Sequence, residues 1–194
     1  MKHSNVFRAA IIIIALATIA VYFQPRYSVR SPRLGNPQLI LTESSFDIVV
    51  DGMLPFFQPR DIEFKLSNSE KAYVLKTESI TGNVFTVHSK HAVSPGAYTL
   101  GALIKGVWRE NPKAVFVYQE YPADFTIIQA ADLPDFDNGD GEKLFSALLE
   151  DVRGQRATIL LLTGDLVYHG GAERYQRFYD AIAQLNIPVI LCPG

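Results

Sequence analysis

Hydrophobic and polar positions alternate through the first half of the chain and switch to a longer period near residue 122. Ile62, Phe64 and Leu66 alternate with Glu63 and Lys65, the period-2 pattern of a strand with one face buried. Similar runs at 46–50, 73–75, 84–87, 98–104 and 114–118 predict further strands. Turn chemistry separates them at Asp51-Gly52, Asn68-Ser69, Thr81-Gly82-Asn83, Ser94-Pro95-Gly96 and Glu110-Asn111-Pro112, residue types that supply positive φ, a preset φ or local side-chain hydrogen bonds. Short strands at this spacing predict an antiparallel β-sandwich over 38–121.

Beyond residue 122 the pattern predicts strand, helix, strand, helix, strand. The apolar run 125–130 is the first strand. Residues 141–153 form a helical pattern with Leu144, Phe145, Leu148, Leu149 and Val152 inward and Asp140 as N-cap. The run 157–162 has the continuous apolar character of a parallel strand covered on both faces. After Gly170-Gly171, a second helix turns Tyr175, Phe178, Tyr179, Ile182 and Leu185 inward, and 188–191 is the third strand. Right-handed crossovers make these strands parallel.

Two carboxylates stand out in that frame. Asp132 follows the first strand, and Asp165, in Thr163-Gly164-Asp165-Leu166-Val167, follows the second. Both lie at carboxyl ends of strands, where α/β proteins hold ligands and metals. Neighbouring strands are about 4.8 Å apart, so both side chains can reach one ion. Two carboxylates that close repel unless a cation neutralises them.

The remaining motifs change this picture little. The acidic run 135–142 matches no calcium-loop register. His88 and His91 are spaced by three beside a strand, which places them on opposite faces, and read as surface residues. His169, just past the Gly-Asp pair, could approach a substrate. No Walker A or dinucleotide glycine motif is present. Charged residues make up 20% of the chain with a net charge of −2, which is not the basic footprint of a nucleic-acid binder. The single cysteine, Cys192, excludes an intramolecular disulfide.

At the N-terminus, Lys2 and Arg8 precede an apolar run, 9–23, whose only polar member is Thr18. This fits a secretory hydrophobic segment, somewhat shorter than the ~20 residues of a full span. Residues 1–23 are expected to be an uncleaved signal anchor, with a cleaved signal peptide as the alternative. The body of the protein then lies outside the cytoplasm, membrane-bound or secreted. Residues 24–37, with three prolines and three arginines, read as a linker whose arginines could touch lipid head groups.

The series from 125 to 194 resembles the opening of calcineurin-like metallophosphoesterases: a strand then D-x-H, a helix, a strand then G-D, a helix, a strand then P-G-N-H. The matching residues are Asp132, Gly164-Asp165 and Pro193-Gly194. The stretch 94–100, Ser-Pro-Gly-Ala-Tyr-Thr-Leu, resembles a late hairpin of immunoglobulin- or fibronectin-like domains. The first resemblance implies that 122–194 is the incomplete start of an α/β/β/α domain. It implies a phosphate-ester substrate and two divalent ions (Mn, Fe or Zn), with Asp132 on the first and Asp165 bridging both. Pro134 stands where the family has histidine, and the family's asparagine and histidine would fall beyond Gly194. The chain as written is therefore expected to be inactive. The competing expectation is a non-catalytic binding protein with a degenerate phosphoesterase fold.

Overall fold

The computed structural model describes residues 27–52, 62–133, 139–167 and 170–192. Among the described residues the protein is mostly β, with two helices and two separate sheets. The larger sheet contains β1 (Ser28–Ser31), β2 (Gln38–Leu41), β3 (Phe46–Asp51), β4 (Glu63–Ser67), β5 (Ala72–Thr81), β6 (Val84–Ser89), β7 (Gly96–Ile104) and β8 (Val107–Tyr118). Their spatial order is β1-β3-β6-β5-β4-β7-β8-β2.

Alternation decides which side chains fill the core. Ile48 and Val50 on β3, Phe64 and Leu66 on β4, Phe85 and Val87 on β6, and Leu100 on β7 are all buried, while their neighbours face outward. The sheet curls until β8 comes up against β1. Asn111 on β8 donates from its side-chain amide to the carbonyls of Val29 (3.2 Å) and Pro32 (3.0 Å), beside β1 at the opposite end of the order. Phe64 and Phe85 meet edge-on inside the curl, centroids 5.3 Å apart.

This differs from a two-sheet antiparallel sandwich in two ways. β5 pairs with both β4 and β6, so the sheet is continuous. The β2–β8 pair is parallel, because the chain crosses from β1 at one end to the opposite edge before laying down β2.

The turn expected at Glu110-Asn111-Pro112 is instead a bulge within β8. The register jumps from Tyr98↔Val115 to Leu100↔Asn111, and Lys113 takes a positive φ of 51°. Pro112 has no N–H for a ladder, so it is tolerated where pairing is already broken. The reversal between β7 and β8 occurs at Lys105-Gly106, whose φ values of 51° and 76° suit the tight two-residue hairpin turn with both central residues at positive φ.

Nor is the described part of 24–37 a free linker. Tyr27 and Val29 are buried in the large core, β1 pairs with β3, and Leu34 packs against the core of the second unit. The apolar run 9–23 lies outside the described residues.

The second sheet has the order β11-β10-β9, all parallel, from β9 (Ile127–Ala131), β10 (Ile159–Thr163) and β11 (Val189–Cys192). The crossovers are α1 (Gly139–Gly154) and α2 (Ala172–Ile182). Asp140 lies within the first turn of α1 rather than before it. Both helices cover one face: Phe145, Leu149 and Val152 from α1 and Phe178 and Ile182 from α2 pack with Leu160, Leu162 and Val189. Leu144, expected inward, is 63% exposed. The opposite sheet face is open, with Ile127 58% exposed and Leu161 and Ile190 half-buried. β10 is thus apolar on both faces but covered on one, a correction to the expected double cover.

Candidate functional site

The register of the small sheet sets the geometry of the site. Ala131 is level with Thr163, and Thr163 with Cys192. Asp132 and Gly164-Asp165 therefore leave adjacent parallel strands at one edge. Each carboxylate is followed by an apolar anchor: Leu133 is buried in the helix-covered core, and Leu166 and Val167 pack against it. Fixing the next residue inward leaves both aspartate side chains facing solvent, and both are exposed. Gly164 makes the sharp exit from β10 at φ 65°, with its N–H donating to the Cys192 carbonyl at 3.0 Å. Asp132 itself holds a φ of 52°, a region that aspartate tolerates better than most residues.

Two solvent-facing carboxylates at one edge offer hard oxygen donors of the kind Mn²⁺ accepts. They fit part of a divalent-cation shell. Among the described residues no group of three or more His, Cys, Asp or Glu side chains converges, so these residues alone do not complete a metal centre. Pro134, His169 and Pro193-Gly194 lie outside the described residues. His88 is far along the sequence from this edge, its Nδ1 2.9 Å from Glu78 Oε1 on the larger sheet, and His91 is exposed.

The sequence does not anticipate what surrounds Asp165. The segment before β2 crosses to the small sheet and continues it beyond β11. Gly35 forms a parallel bridge with Ile190, and the Leu191 N–H donates to the Gly35 carbonyl at 2.8 Å. With this segment in place, Asp165 lines a cleft of about 650 Å³ together with Arg33, Asn36, Tyr175, Tyr179 and Cys192. That volume is in the range of small-molecule sites, roughly 300–1,000 Å³. Tyr175, expected inward on α2, is 43% exposed and lines this cleft.

A second cleft, of about 680 Å³, opens between Tyr98 and Lys113 of the large sheet and Asn186 after α2. Two of its polar groups are already engaged. The Lys113 ammonium donates to Asn186 Oδ1 and the Tyr98 hydroxyl to the Ser94 carbonyl. Burial pushes the Lys113 pKa down. The larger opening is therefore the weaker candidate. The Asp165 cleft is lined by a carboxylate, an arginine and two tyrosines together. No protein-family model matches the chain, and no curated protein matches it.

Proposed function

We propose that the chain joins a curled, mostly antiparallel β-sheet domain to the N-terminal part of a calcineurin-like metallophosphoesterase domain, whose complete form hydrolyses a phosphate ester. The observation that carries this reading is the register of β9 and β10, which brings Asp132 and Gly164-Asp165 to one edge of a parallel sheet. The open face bearing Ile127, Leu161 and Ile190 favours the same reading, since the second sheet of an α/β/β/α domain covers such a face. For the larger unit, the Tyr98 hydroxyl bonds back to the Ser94 carbonyl at 2.8 Å. That bond ties the strand start to the turn before it, as a tyrosine corner does in β-sheet domains.

In this reading Asp132 and Asp165 would hold divalent ions. Bound there, the ions would supply an activated water and neutralise charge on the phosphate. The protein's own part is to hold both carboxylates at the strand ends, through Leu133 below Asp132 and Leu166 below Asp165. The apolar N-terminal run anchors the body outside the cytoplasm.

Paramagnetic broadening by Mn²⁺ tests the site in the 194-residue chain. Substoichiometric Mn²⁺ is expected to broaden the amide signals of Asp132, Gly164 and Asp165 first, and Asp165→Asn to abolish that focus. Broadening centred elsewhere, or unchanged by the substitution, overturns the metallophosphoesterase reading and favours a non-catalytic binding protein.

A further inference from the structure

The Asp165 cleft is built from two sequence regions 130 residues apart, and the earlier one brings the cation. Arg33 and Asn36 close a tight turn through two backbone hydrogen bonds, Arg33 N–H to Asn36 O at 3.1 Å and Asn36 N–H to Arg33 O at 2.9 Å. Gly35 ties that turn to β11, and Leu34 seats it in the helix-covered core. The backbone carrying Arg33 is therefore fixed to the small sheet, although it precedes most of the large one. Among the described residues, no carboxylate lies within 4.0 Å of the guanidinium to form an ion pair. Tyr175, also lining the cleft, offers a large, half-exposed aromatic surface from the first turns of α2.

Guanidinium groups bind phosphate through paired, charge-assisted hydrogen bonds, with geometry that ammonium groups do not reproduce. An aromatic wall beside such a donor suits a flat organic group attached to the phosphate. We infer that the cleft is a phosphate-ester subsite in which Arg33 holds the phosphate and Tyr175 packs against a planar ester group. This deepens the phosphoesterase reading by naming its substrate class, and it rests on that reading only for the chemistry that follows binding. Arg33 acts here in recognition, not in bond cleavage.

Phenyl phosphate titrated into the metal-free 194-residue protein, followed by NMR, tests the subsite. Saturable shifts are expected at Arg33, Asn36 and Tyr175, and phenol alone should produce none at Arg33. Arg33→Gln should weaken binding about tenfold or more, the scale of a lost charge-assisted hydrogen bond, and Arg33→Lys should restore part of it. Arg30→Gln, beside Asp51 on the large sheet, should leave it unchanged. Asp165→Asn should tighten metal-free binding by removing a like charge. No saturable binding, binding indifferent to Arg33→Gln, or shifts centred on Lys113 would each overturn the inference. Arg33-dependent binding without a Mn²⁺ focus at Asp165 would sustain the subsite and defeat the phosphoesterase reading. A Mn²⁺ focus without Arg33 dependence would do the reverse.

Discussion

Tyr98 shows how one side chain can hold a turn. It is 1% exposed, its ring meets Tyr73 edge-on with centroids 5.9 Å apart, and its hydroxyl caps the Ser94 carbonyl. Burial pushes its pKa up to about 12. The unfolded value is about 10, so the stabilising neutral form is intact in both states below pH 10. Its contribution is lost as pH rises through the folded value. Tyr98→Phe is expected to cost about 1–2 kcal/mol at pH 7, because Ser94 loses its donor. The gap from wild type should close between pH 10 and 12, as measured by urea denaturation across that range. A gap independent of pH would refute the assignment. The turn and the aromatic residue after it are visible in Ser94-Pro95-Gly96-Ala97-Tyr98, and so are two aspartates following apolar runs. Arg33 carries no such signal. Its role depends on a cleft that exists only once residue 33 lies beside residue 165.

Among the elements, periodicity located β3, β4, β6 and β7 and both helices to within a few residues, because each buries one face locally. It failed where long-range pairing decides. β1 has only four residues in an arginine- and proline-rich setting, and its partner β3 is reached only through the fold. The double apolar face of β10 reads as double cover, yet both crossovers pass on the same side. The clearest test at this scale is the segment bordering β11. Gly35 holds φ 87°, and a Cβ there would lie 2.5 Å from Leu191 Cδ1 and 2.8 Å from Leu191 Cγ. Gly35→Ala should cost about 1–2 kcal/mol from the left-handed backbone alone. Hydrogen exchange should quicken at the Leu191 amide while Leu160, in the central strand, stays protected. Unchanged exchange at Leu191 would show that the bridge contributes nothing.

For the molecule as a whole, no helix among the described residues is long and apolar enough to cross a membrane. The proposed anchor, residues 1–23, lies outside those residues and rests on its sequence. A reporter active only outside the cytoplasm, fused to the C-terminal end, is expected to be active, and a cytosol-dependent fluorescent reporter to be silent. The opposite pattern would place the body inside. The fusion belongs at that end because residues 28–35, in a region that reads as a spacer, are woven into both sheets.

That weaving bears on any attempt to separate the two units. The change of pattern near Tyr121-Pro122 invites a cut there, yet hydrogen bonds across it run from Leu191 N–H to the Gly35 carbonyl and from Lys113 to Asn186. A piece beginning at 122 would bare the backbone of β11 on its outer side, an unprotected edge of the sort that recruits other chains. It would also lose Arg33 and with it one wall of the cleft. Supplying 27–37 as a separate peptide would not mend this simply, since Val29 and Leu34 belong to different cores. The first described residues act as a hasp between the two halves, and a piece that keeps the cleft whole must include Arg33.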